Sequence, residues 1–253
     1  MGRYAIEKPG LILANQGETI DNFLSQVPET KVDVDDDGII PVLDGDYFPD
    51  DATERIKKAL RSVFGDATYT DNLHYMEQSL GKDLRSYLTK DFYHDHCQMY
   101  QKRPIYWMFA SKKGAFKALV YMHRLTLDTL SRLLANYVQP FIGMIEGDRR
   151  QQEELLARED IPQKEKNRAR KLSEQYNKQL IELHDYEQEL MELASHRIAI
   201  DLDDGVKQNY PKFGNLVVKI NLNSATLLIV SGHCGQNRPE CDFSCSNWLF
   251  AIS

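Results

Sequence analysis

Cysteine is scarce: the chain has four in 253 residues, three of them among the last twenty. So few in so long a chain make no disulfide framework, and a reducing, cytoplasmic setting is the expectation. No run of about 18 apolar residues occurs, which argues against a membrane-spanning helix. The opening MGRYAIEKPG has no basic leader followed by an apolar block, so no secretory signal is expected. Ile6 stands where N-myristoylation requires Ser or Thr. Fixed repeats and low-complexity tracts are also missing. What is plentiful is core-forming material, 42% hydrophobic against 27% charged residues, enough for one elongated folded domain or two small ones.

The net charge of −7 is unevenly spread. Residues 1–54 hold 3 basic and 13 acidic side chains, whereas residues 55–150 hold 16 basic and 9 acidic. Residues 151–220 return to a mild acidic excess, 11 against 14. Overall acidity therefore does not exclude a polyanionic partner; it confines the contact to the middle of the chain.

Prolines 9, 28, 41 and 49 and glycines 10, 17, 38 and 45 interrupt the first fifty residues, leaving room for one short helix from about Glu18 to Pro28 and an extended GIIPVL. FPDDATERIKKALRSVFG then carries helix start and stop chemistry in order, with Ile56, Ala59, Leu60 and Val63 on one face and Gly65 at the end. Further helices are expected over Asn72–Leu80 and from Lys82 towards Gln101. PIYWMFASKKGAFKALVYMHR changes the pattern: β-branched and aromatic residues flank SKKG, which predicts a β-hairpin with a lysine-bearing turn. Beyond Arg124 the period becomes helical, with Pro140 predicting a kink or break at Gln139. Pro162 opens another helix, in which Leu172, Tyr176, Gln179, Leu183, Tyr186, Leu190 and Leu193 form a heptad seam with one polar interruption. The expected fold class is α-rich α+β: helices with a β-hairpin, followed by a long antiparallel helical hairpin. The expected organisation is a mixed region over residues 1–124, a helical hairpin or coiled coil over 125–220, and an atypical tail over 221–253.

Several stretches resemble chemical sites. DVDDDGIIPVLD sets Asp33, Asp35, Asp37, Gly38, Ile40 and Asp44 at calcium-loop positions. A calcium loop needs a bidentate Glu in the last position and flanking helices, and here Asp44 and three prolines stand instead, so a solvated acidic loop is preferred. His233, Cys234, Cys241 and Cys245 lack the tight ligand pair that zinc sites use. His94 and His96, two apart on a helix, point to different faces and are read as surface residues. Asp201, Asp203 and Asp204 are read as caps and turn residues after the long helix. No catalytic residue and no metal ligand is assigned.

The basic and aromatic set around the hairpin carries more weight. Lys102, Arg103, Lys112, Lys113, Lys117 and Arg124, backed by Tyr106 and Trp107, are candidate contacts to DNA phosphates. The alternative, equally open at this point, is that the aromatics are core and the lysines only solubilise a turn.

KRPIYWMFASKKGAFKALVYMHR at 102–124 resembles the C-terminal part of the BREX phage-defence adenine-specific DNA methyltransferases of the PglX type, relatives of single-chain restriction-modification enzymes. LLANYVQPFI, REDIPQKEKNRARKLSEQYNKQLIELHDYEQEL, LDDGVKQNYPKFG and, upstream, VDDDGIIPVLDGDYFPDD extend the resemblance in order over most of residues 30–220. Such enzymes bind S-adenosylmethionine through a glycine-rich loop and hold a flipped adenine with an Asn-Pro-Pro-Tyr motif. This chain has neither, QNYPK at Gln208–Lys212 lacking the double proline. The resemblance thus implies a non-catalytic DNA-recognition and scaffold portion, without a cofactor of its own. Its partners would be double-stranded DNA, the catalytic domain of the parent enzyme and other defence proteins, with no membrane. The alternative is a protein-interaction module of the same system that makes no contact with DNA.

Overall fold

Short runs of β-branched and aromatic residues form a three-stranded sheet. Ile39–Pro41 (β1), Tyr106–Ala110 (β2) and Lys117–Tyr121 (β3) pair antiparallel in the order β1-β3-β2. β3 lies centrally, with Val120 opposite Ile39 on one side and Trp107 on the other. Pro41 falls on the edge strand, where its missing N–H costs least. The computed structural model describes residues 37–220, and the expected helix before Pro28 and the tail from Asn221 lie outside them.

Both faces of the sheet are buried. Ile40, Tyr106, Met108 and Leu119 face Ala52–Phe64 (α1), Leu84–Lys90 (α3) and Phe92–Met99 (α4). Ile39, Trp107, Phe109, Ala118 and Val120 pack on the opposite side against the later helices. Trp107 and Tyr106 are thus core residues, 0% and 1% exposed. The second core draws on residues from both sides of Arg124, from Ile39 and Leu43 to Leu183 and Leu190.

α1 forms as its sequence chemistry dictates: Asp51 caps it by accepting the Glu54 N–H at 2.8 Å, and Ile56, Ala59, Leu60 and Val63 are buried. Asp66–Leu80 (α2) starts six residues earlier than the Asn72 expected, and it is peripheral, burying only Asn72 fully. The single helix expected from Lys82 towards Gln101 is two, broken at Asp91, which Lys82 holds at 2.6 Å. Leu84, Leu88, Phe92 and His96 are spaced by four, and on a straight helix such a stripe drifts by about 40° per step. The break returns Phe92 and His96 to the sheet, at 0% and 2% exposure.

His96 is therefore not the surface residue the sequence suggested. Its Nε2 accepts the Tyr106 N–H at 3.2 Å, and its ring lies among those of Phe92, Tyr100 and Tyr106. Burial pushes its pKa down to about 4. A histidine depressed in the fold but ordinary when unfolded stabilises fully above pH 6.5, and that stability drains as the unfolded chain takes up the proton on acidification. Between pH 7.5 and pH 5 the His96 share of the loss is expected to be about 2 kcal/mol. Urea titrations of wild type and His96→Gln at both pH values check this: the variant should lose that much less, and an equal loss in both excludes His96 as the source.

After β3, Thr129–Arg132 (α5) runs through a π-helical turn, Leu133–Val138, into Gln139–Ala157 (α6). Pro140 lacks the N–H that would bond one turn back, and the widened turn absorbs this defect without ending the helix. The kink or break expected at Gln139 is thus a π turn. Gln163–Ser195 (α7), 33 residues long, then folds back. Gln139 bonds Glu187 at 3.0 Å and Arg149 bonds Asn177 at 3.2 Å, so the two helices run antiparallel. The heptad seam is satisfied inside the chain: Leu183, Tyr186 and Leu190 are buried, with Tyr186 against Phe116.

LDDGVKQNYPKFG turns out to be a clasp. Asp201 caps a short turn by accepting the Asp203 N–H at 3.0 Å, and Gly205–Asn209 (α8) follows. Tyr210 and Phe213 insert edge-on against Trp107 at 5.3 and 5.6 Å. Val217 bridges to Phe109, and the Val218 N–H bonds the Met108 carbonyl at 2.9 Å, extending the sheet beyond β2.

Candidate nucleic-acid interface

SKKG folds as a tight turn closed by the Gly114 N–H on the Ser111 carbonyl at 2.9 Å, and Gly114, at φ +80°, supplies the left-handed conformation with which the chain leaves the turn. Lys112 and Lys113, the two central residues, are exposed. The turn is clamped from α7. One oxygen of Glu182 accepts the Ser111 hydroxyl at 2.6 Å, the Lys113 N–H at 2.6 Å and the Ala115 N–H at 3.3 Å. The Ser111 hydroxyl also accepts the Phe116 N–H at 3.0 Å. A carboxylate that takes three donors fixes the backbone, so the two ammonium groups project from a rigid support.

The six candidate cations are not one cluster. Lys102, Arg103 and Arg124 sit at the opposite end of the hairpin, on the turn after α4 and just past β3. Five strand residues separate the ends, about 17 Å at roughly 3.4 Å per residue. Lys102 is half-buried at φ +64°, while Arg103 and Arg124 are exposed. Lys117 braces the fold, its ammonium donating to the Thr89 carbonyl at 2.6 Å, near the end of α3. The body of the hairpin is buried on both sides, so the expected free cationic ribbon is reduced to its two ends.

The acidic and thiol groups are committed elsewhere. Asp37 accepts the Ile39 N–H and the Tyr137 hydroxyl, each at 2.9 Å, while Asp33 and Asp35 lie outside the described residues. So do His233, Cys234, Cys241 and Cys245. Among the described residues no group of three His, Cys, Asp or Glu side chains is placed to hold a metal. Burial pushes the Cys97 thiol up to about 11, which makes it a poor nucleophile. No helix among them is long and apolar enough to cross a membrane.

Two organising residues escaped the sequence reading. Glu182 meets a turn 67 to 71 residues away, and Arg85 gathers the segment after β1. Neither stands in a local pattern that signals its role.

No family model matches the chain. Over 235 residues, 87% of its length, it is 35% identical to adenine-specific methyltransferase BrxX of Escherichia coli O9:H4 (strain HS). Over 224 residues, 83% of its length, it is 35% identical to adenine-specific methyltransferase PglX of Lacticaseibacillus casei (strain Zhang). The matched regions are 19% and 18% of those proteins, so the chain spans about a fifth of the length of the curated relatives it matches.

Proposed function

We propose that this chain, homologous to one segment of the adenine-specific methyltransferases BrxX and PglX, is a non-catalytic DNA-recognition and scaffold portion of a phage-defence adenine methyltransferase. The observation that carries the reading is the Glu182 clamp, which presents Lys112 and Lys113 on a fixed turn at the end of a buried hairpin. Phosphate contacts of this kind set the register of a duplex without reading its sequence. Register matters to an enzyme that must swing one adenine out of the stack into a pocket elsewhere. Lys102, Arg103 and Arg124, at the other end of the hairpin, are the second candidate contact. Lys117 serves by bracing the hairpin on α3.

The described residues do not fit S-adenosylmethionine, which the resemblance places in the parent enzyme. The sheet has no parallel pair. Of the two strand-to-helix connections, that after β3 lacks glycine, and that after β1 has its Leu43 and Gly45 carbonyls occupied by Arg85. In this reading methyl transfer belongs to another part of such an enzyme, and the partners of this part are duplex DNA and the catalytic domain, with other defence proteins as further candidates.

Reversing the turn charges with Lys112→Glu and Lys113→Glu tests the assignment. Duplex binding should weaken by on the order of 10-fold at 0.1 M salt, and the slope of log K against log salt should shrink by about 2. Unchanged binding removes the turn from the interface.

A further inference from the structure

The charges of α7 are segregated along its length. Residues 163–178 carry six basic and two acidic side chains, while residues 179–195 carry five acidic and no basic ones. Within the basic half, Lys164, Arg168, Lys171 and Lys178 recur at helical spacing and fall within about 40° of one line along the axis. All four are exposed, opposite the buried face of Ala169, Ser173 and Leu180. Among the described residues none of the four has a carboxylate within ion-pair distance; the basic residues nearby that do are Arg149 and Arg158. Lys164 with Arg168, and Arg168 with Lys171, are like-charged neighbours, an arrangement that costs helix stability. A solvated helix face normally alternates its signs, and this one does not.

The same line continues to Glu182, eighteen residues or about 27 Å beyond Lys164. Glu182 is the residue that clamps the SKKG turn. We propose that Lys164, Arg168, Lys171 and Lys178 form, with Lys112 and Lys113, one cationic track that follows the sugar-phosphate backbone of duplex DNA. This rests on the reading of the chain as a DNA-contacting portion and names where the duplex lies: along the outer face of α7, the hairpin turn marking one end. A stiff helix suits a stiff ligand, because cations spaced along a rigid backbone meet regularly spaced phosphates with only their side chains left to be ordered on binding. Glu182 acts in this arrangement as a positioning residue, holding the turn in line with the helix.

The test is a titration of a mixed-sequence duplex of about 20 base pairs with the 253-residue chain, across a salt series, followed by fluorescence anisotropy. The triple variant Lys164→Glu, Arg168→Glu, Lys171→Glu should lose about 3 from the salt slope and at least about 10-fold in affinity at 0.1 M salt. Glutamate is a good helix former, and at Lys164 it also stands in the first turn, where negative charge is favoured, so circular dichroism should show the helix retained. The neutral triple variant with glutamine at the same positions should give a smaller loss in the same direction. Wild-type affinity and slope in both triple variants, with Lys112→Glu, Lys113→Glu still weakened, overturns the track and leaves the turn standing. Failure of the wild type to bind duplex at all overturns both.

Discussion

Replacing Arg85 with alanine is expected to lower the unfolding free energy by about 3–5 kcal/mol, the cost of stranding a buried charge. The guanidinium reaches the Leu43 carbonyl at 2.9 Å, the Gly45 carbonyl at 3.1 Å and Asp51 at 2.5 Å, and its other nitrogen pairs with Asp46. Asp51 is 1% exposed and also caps α1. Alanine at 85 leaves that carboxylate without its counter-charge and the Leu43 carbonyl without a donor, while the Gly45 carbonyl keeps the Tyr47 N–H at 3.1 Å, at the point where β1 is joined to α1. Lysine should recover only part of the loss, because a single ammonium cannot span carbonyls and carboxylates in the fixed fork of a guanidinium. Urea unfolding monitored by circular dichroism measures the change; a loss below about 1 kcal/mol would show that the network contributes little.

Phe213→Ala is expected to cost a similar amount, about 3–5 kcal/mol. Phe213 is 0% exposed and stands edge-on to Trp107 at 5.6 Å and Phe109 at 5.4 Å. Its removal opens a void beneath the clasp, whose Val217 bridge and Val218 hydrogen bond cover the edge of β2. The effect should therefore exceed simple side-chain transfer. A double-mutant cycle with Trp107→Leu should return a coupling of about 0.5–1.5 kcal/mol, the range for edge-to-face pairs. Additive losses would mean that the clasp is held by Tyr210, whose hydroxyl meets that of Tyr93 at 3.1 Å, rather than by Phe213.

The sequence displayed the fold more clearly than the interface. The hairpin, the caps of α1 and the antiparallel helices each follow from local spacing. The depth of the hairpin was also visible: YWMFA is an unbroken apolar run, the mark of a strand buried on both faces. Taking its neighbours as one cationic surface overlooked the strand length that sets Lys102 and Lys112 at opposite ends. Lys117 could not be discounted from sequence, because its acceptor at Thr89 lies 28 residues upstream. Glu182 and Arg85 are equally non-local. The segregation on α7 was readable, yet a single balance over residues 151–220, 11 basic against 14 acidic, cancels it. His96 was misplaced for a different reason. Its spacing of two from His94 shows that the pair diverges, and says nothing about which of them faces the sheet.

Whether the chain grips a duplex by its phosphates is tested most directly by the salt dependence of the wild-type chain. With about six phosphate contacts, affinity for a mixed-sequence duplex should fall by on the order of 1,000-fold between 50 and 200 mM salt, whatever the sequence. Affinity that does not change with salt, or no binding at 50 mM, would contradict the account and return the chain to the protein-interaction reading.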